Sequence, residues 1–313
     1  MKKIIALIVT FTLFQFNAFS KKLMDKHYWN VFYECEYSTT VSKQYDIPFK
    51  KLSELEKIYA CQNDLYYLLA ICSVKTNHNT DQILINAAKE TGFNYSTIQD
   101  IEMFFRGGNI LTNYVKNKNN IIDSINKCAS IYEKHFLNHK VTPIIQFLHE
   151  NDQGVNRLQT PDSTDLLCQD KILRIIMQFQ KNVNELNFNY IKNNCLDKNG
   201  NIPSYTDIGF DNQGHLILIL VHYAATVRIR EEQFFNFIDE QLKLNRIFPD
   251  QYAVIIDKYF WVKNNTLVYG QITGGDTKII NMDKIDETRK KIGLNSLREF
   301  YEVNNMALPE NYK

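Results

Sequence analysis

The chain holds no HExxH zinc-protease motif, no glycine-rich phosphate loop and no G-x-S-x-G nucleophile signature. Their absence removes the most readily recognised enzyme classes without removing enzymes as such. No two of the 6 cysteines are spaced as CxxC, so neither a zinc ribbon nor a thioredoxin-type site has support. A surplus of one charge is missing too. The 36 Lys and Arg stand against 35 Asp and Glu, whereas bulk attraction to nucleic acid or to an anionic membrane needs clustered excess Lys and Arg. No nucleic-acid partner is therefore expected. The N-terminal apolar run at residues 4–16 falls well short of the about 20 apolar residues that span a bilayer. No transmembrane span is expected.

What is present begins at that same terminus. Lys2 and Lys3 precede the apolar run, and Ala18, Phe19 and Ser20 follow it, which is the charged, apolar, small-residue order of a secretory signal peptide. Residues 1–20 read as that signal, cleaved after Ser20, leaving a secreted or periplasmic protein. Without Lys2 and Lys3 the basic count is 34 against 35 acidic residues, a net charge of −1. The first cysteine after the run is Cys35, too far on for a lipid-modified N-terminal cysteine. Cys35, Cys61, Cys72, Cys128, Cys168 and Cys195 permit up to three disulfides in an exported chain. They serve equally as small core residues, since Cys61 and Cys72 sit in apolar helical patterns. A composition of 44% hydrophobic and 23% charged residues is ordinary for a globular protein with a proper core.

Periodicity predicts a mainly α, multi-helix protein with one small β-hairpin in its C-terminal half. Residues 21–140 read as an N-terminal helical region and 141–313 as a C-terminal helical module carrying the hairpin. Turn signals punctuate apolar residues recurring at three and four. The helix at 81–90 ends at Gly92, Ser96 with Gln99 has capping-box spacing before a helix stopping at Gly107 and Gly108, and Thr142-Pro143 reads as an N-cap followed by proline. Asp162 and Ser163 open a helix running to about Leu186. Asn-rich loops lie at 115–120 and 192–201. Phe234, Phe235, Phe237, Ile238, Leu242 and Leu244 form an apolar helical stripe. Two β-prone runs within 259–272 flank Lys263, Asn264 and Asn265, and asparagine tolerates the left-handed backbone of tight turns. A charged helix, a stop at Gly293 and a short helix close the chain.

Few polar residues invite chemistry. His135 and His139 would share a helix face as two metal ligands might, but no third ligand can be named, and surface histidines fit as well. "HEND" at 149–152 lacks the second histidine of a zinc protease. No metal or other cofactor is implied. His222 interrupts "GHLILILVHYAA", where an imidazole must find a partner or cost stability. In a helix His215 shares its side, and in a strand Leu216, Leu218 and Leu220 share its face. The run is too short for periodicity to decide.

From "NDQGVNR" to "GLNSLREFY", within 145–303, the order of motifs resembles a bacterial family catalogued as domain of unknown function 6624. The matched positions are Asp152, Gln153 and Arg157; His222 with Ala224; Asp257; Tyr269, Gly270 and Gln271; and Arg289, Gly293 and Leu294. Val221 stands where that pattern has glutamine, Tyr223 separates the histidine from the alanine, Lys258 replaces arginine, and the threonine of Y-G-T-Q is missing. Lys258 cannot reproduce the two-pronged carboxylate grip of arginine. The resemblance implies a shared polar cluster and no activity.

Two functions follow. In one, the protein is a non-catalytic binding or envelope-associated protein whose ligand is a small molecule, glycan or protein, and the cluster fixes helix packing. In the other it is a cell-envelope hydrolase, with His222 as general acid or base, Asp257 or Asp152 orienting its ring, and Gln153, Arg157, Tyr269 and Gln271 in the binding site. The absence of a nucleophile signature or metal constellation favours the first.

Overall fold

The computed structural model describes residues 21–104, 108–137, 139–157, 166–227, 231–272 and 278–312. The predicted signal segment, Gly107 and the predicted cap at Asp162 and Ser163 lie outside them, as does the Cys168 side chain. The described chain is mainly α-helical and divides into two compact units, one of residues up to His135 with Ile292–Glu310, the other of Phe136–Lys291 with Asn311–Lys313.

The first unit contains α1 (Lys26–Thr40), α2 (Asp46–Ile58), α3 (Asn63–Lys75), α4 (Thr80–Thr91), α5 (Tyr95–Phe104), α6 (Ile110–Val115), most of α7 (Asn119–Leu137) and the last helix, Leu297–Val303. Local chemistry marks the helix ends. Asp25 accepts the Tyr28 N–H at 3.1 Å to start α1, and Asn79 accepts that of Gln82 at 3.2 Å to start α4, each satisfying an amide the helix cannot. Helix α5 is capped by Asn94, which accepts the Thr97 N–H at 2.9 Å, and Ser96 lies inside the helix. The cap is therefore two residues earlier than the Ser96–Gln99 spacing predicts. Gly92 ends α4 at φ 74°, and a Cβ there would come within 2.7 Å of the Tyr132 ring. Both backbone and neighbour require glycine.

Helix α3 is the centre of this core: Leu65 through Ser73 are all buried, as befits a helix apolar around its circumference. Each such Leu or Ile contributes roughly 1.5–3 kcal/mol by leaving water. Polar ties fix the periphery. Lys21 and Tyr66 donate to Glu90 at 2.6 and 2.7 Å, and Tyr37 donates to Glu302 of the last helix at 2.6 Å.

The second unit contains α8 (Thr142–Asn156), α9 (Leu166–Asn194), α10 (Tyr205–Ile208), α11 (Phe210–Thr226), α12 (Glu231–Lys243), α13 (Pro249–Asn264), β1 (Thr266–Leu267), β2 (Lys278–Ile279), a 3-10 turn at Met282–Lys284 and α14 (Ile285–Ile292). The stretch around His222 is helical, and α11 packs against α8, α9 and α13. Thr142 is the first residue of α8, its hydroxyl buried without a hydrogen-bond partner among the described residues, and the cap position falls to Val141.

The small β element lies in the C-terminal half. Its strands pair in parallel, Thr266 with Lys278 and Leu267 with Ile279, rather than as an antiparallel hairpin within 259–272. The β-prone residues Tyr259, Phe260, Trp261 and Val262 instead form the last turns of α13, and Asn265, at φ 54°, ends that helix. Asparagine's tolerance of the left-handed region is used at a helix end.

The described cysteines Cys35, Cys61, Cys72, Cys128 and Cys195 are unbridged, and all but Cys128 are buried. Cys61 lies in the connection before α3 rather than in a helix. Burial leads in pushing the Cys35 thiol up to about 12 and those of Cys72 and Cys195 to about 11. They are protonated core residues rather than nucleophiles.

Candidate functional site

Helix α8 buries Ile145, Leu148, Asp152 and Val155, a spacing of three, four and three that makes one continuous stripe. Asp152 thus takes a core position and is fully buried. On α11, Leu216, Ile219, Leu220 and Ala224 are buried, while the His222 side chain keeps 19% of its surface exposed. His222 Nδ1 lies 2.6 Å from Asp152 Oδ2, and Gln153 Nε2 donates to the same oxygen at 3.1 Å. With the carboxylate ionised, Nδ1 donates, which fixes the tautomer and ring orientation in a short, charge-assisted bond.

Helix α9 supplies the next layer. Gln180, Asn184 and Asn187 recur at four and three, and their side-chain amides donate to Val155 O at 3.3 Å, His222 O at 3.2 Å and Leu148 O at 3.5 Å. Asn184 and Asn187 are buried. One face of α9 therefore binds the backbones of both α8 and α11. A second histidine joins the same pair of helices: His149 and His215 stack with ring centroids 3.8 Å apart and planes 9° from parallel. Among the described residues His215 Nδ1 is buried without a hydrogen-bond partner. Burial, followed by the charge of His149, holds the His215 imidazole below its ordinary value of 6.5, and Asp211 opposes.

Asp257 serves a different place. Its Oδ1 accepts the N–H groups of Val268 and Tyr269 at 2.7 and 2.8 Å, and its Oδ2 accepts that of Gln271 at 2.7 Å. Burial pushes this carboxyl upward while those turn amides pull it down. Arg289, fully buried on α14, donates to Tyr269 O at 2.6 Å and Gln271 Oε1 at 3.3 Å. Asp257 and Arg289 hold the turn after β1 by its donors and acceptors respectively. The Tyr269 ring meets Tyr252 edge-on with centroids 5.9 Å apart.

The sequence-predicted residues therefore fall into separate groups. Asp152, Gln153 and His222 come together; Asp257, Tyr269 and Gln271 build the turn; Arg157 is exposed at the C-terminal cap of α8. Lys258 lies over the Trp261 ring at 4.4 Å, and burial lowers its pKa. His135 is exposed, and His139 Nδ1 accepts the Val141 N–H at 3.4 Å. Among the described residues no group of three or more His, Cys, Asp or Glu is placed to hold a metal ion. No described helix is long and apolar enough to cross a membrane.

Sequence reasoning did not pick out the α9 amides or the His149–His215 stack. The four-three spacing of Gln180, Asn184 and Asn187 was the available signal for the first; the second is purely tertiary. No family model, curated protein or solved structure matches this chain.

Proposed function

We propose that the protein is an exported binding or envelope-associated protein, with the Asp152–His222 pair serving as a fastening between α8 and α11 rather than as a reaction centre. The supporting observation is the fully buried Asp152 carboxylate, hydrogen-bonded to an imidazole on the neighbouring helix while α9 amides bind the carbonyls of both helices. An ionised carboxylate in such a place is costly unless its donors are fixed. Export to a secreted or periplasmic location rests on the order of Lys2 and Lys3, the apolar run and Ala18 to Ser20. The resemblance to domain of unknown function 6624 is part of the same proposal, with the shared polar cluster acting in packing.

A second reading draws on the exposed part of the His222 ring. An imidazole oriented through Nδ1 by a buried carboxylate presents Nε2 for proton transfer, as a hydrolase acting on envelope material requires. The two are separated by expressing the full chain in a bacterial host, measuring the mass of the exported product, and assaying it on glycan, peptide and ester substrates. The first reading expects a soluble exported chain beginning at Lys21, with turnover no different from that of His222→Ala. Met1 retained in a membrane pellet defeats export. Turnover abolished by His222→Ala in a stably folded protein makes the second reading the correct one.

A further inference from the structure

We propose that the first unit carries a binding site for a small organic anion, a carboxylate or phosphate ester with an apolar body. The site is a cavity of about 260 Å³ lined by Thr39 of α1, Lys43 and Tyr45 of the α1–α2 connection, Tyr67 and Lys75 of α3, and Ile110 of α6. It is independent of the role given to Asp152 and His222.

Two cations border this cavity, and among the described residues neither Lys43 nor Lys75 has a carboxylate partner, unlike Lys21, Lys51 and Lys118. Among the described residues the acids nearby make no ion pair with them. Both oxygens of buried Glu102 accept backbone N–H groups, from Leu111 at 2.7 Å and Thr112 at 3.2 Å. Asp46 is exposed in the first turn of α2. Lys43 and Lys75 are both exposed at the cavity, and ammonium groups not held in an ion pair attract an anion.

The backbone at Lys43 is the second, independent observation. It sits at φ 55° just after α1, where Ser42 N and Gln44 N bond back to Tyr37 O at 3.3 Å and Ser38 O at 2.9 Å. That left-handed conformation is unfavourable for a residue with a long side chain and mild for asparagine or glycine. Among the described residues, the other non-glycine positions with positive φ are Asn77, Asn245, Asn265, Asn281 and Asn305. Lysine is the exception, and it stands at the cavity. Asn77, Asn245 and Asn305 close the same helix-ending turn, so what singles out this position is a lysine that backbone stability does not favour, placed at the cavity.

The walls define the rest of the ligand. Tyr45, Tyr67 and Ile110 offer aromatic and aliphatic surface, and the Thr39 hydroxyl, 3.5 Å from the Cys72 sulfur, lies at the same cavity. The volume is just under the roughly 300–1,000 Å³ usual for small-molecule sites, so a single ring or short branched chain with one anionic head fits the space. Lysines bind such heads as point charges, indifferent to whether carboxylate or phosphate supplies them.

The test is calorimetric titration of the full chain with benzoate, phenyl phosphate and neutral benzamide, on wild type, Lys43→Asn and Lys75→Ala. Saturable, salt-sensitive binding of at least one anion is expected, with benzamide silent and affinity lowered about tenfold or more in each variant. Lys43→Asn should at the same time raise the melting temperature, because asparagine suits the left-handed backbone better. Gain of stability together with loss of binding marks a residue retained for a ligand. Failure of both anions to bind overturns the proposal. So does equal binding of benzamide, which would make the cavity merely apolar, or unchanged anion affinity in Lys43→Asn.

Discussion

Asp152 and His222 are 70 residues apart in the chain, yet Oδ2 of the first and Nδ1 of the second meet at 2.6 Å. The bond joins two helices of one unit at a point where the carboxylate has no access to water. Removal of either partner strands the other, and the asymmetry between making and breaking such a bond governs what mutations will do.

The turn after β1 is expected to be the second sensitive place. Asp257→Asn keeps the side chain's size but replaces one accepting oxygen by an amide facing the Gln271 or the Val268 and Tyr269 N–H groups. A loss of about 2–3 kcal/mol is expected from urea unfolding. An unchanged midpoint would show that the turn does not depend on Asp257.

Acidification should weaken the second unit through His215. Its imidazole is held below 6.5 in the folded protein, so as pH falls through 6.5 the unfolded chain takes up a proton first, and stability is lost until the folded value is passed. His149 and Asp211 are the titratable groups felt by the ring, the first reinforcing and the second opposing the effect. His215→Phe can keep the stack on His149 while removing the titration. Denaturation midpoints at pH 7.5 and pH 5 are expected to differ less in the variant than in wild type; an equal difference would contradict this.

Thiol reactivity gives a third check. Burial raises the thiols of Cys35, Cys61, Cys72 and Cys195, and only thiolate reacts readily. A thiol reagent at mildly alkaline pH is expected to leave these four unmodified in the native protein and to label them on unfolding. Rapid native labelling of Cys61 or Cys72 would refute the packing assigned to them.

Much of this was legible beforehand wherever the signal was local. Helix content follows from periodicity, Gly92 from its need for positive φ, and the demand for a partner at His222 from the apolar run around it. The choice between Asp152 and Asp257 was not legible, because the ligands of Asp257 are backbone amides whose direction exists only once the turn has formed. The residues Tyr259 to Val262 show the converse. Their β-branched and aromatic character suggested a strand, but they continue a helix begun at Pro249, and burial of Tyr259 in that helix overrides propensity. The stack of His149 on His215 depends on how α8 and α11 cross, which spacing within either helix does not encode.

The most direct measurement is a double-mutant cycle on Asp152→Asn and His222→Ala, followed by urea unfolding. If the pair fastens α8 to α11, each single substitution should cost about 1–3 kcal/mol, and the double mutant should lose less than the sum, with a coupling above about 0.5 kcal/mol. Singles that each leave stability within about 0.5 kcal/mol of wild type, and that simply add, would contradict a packing role.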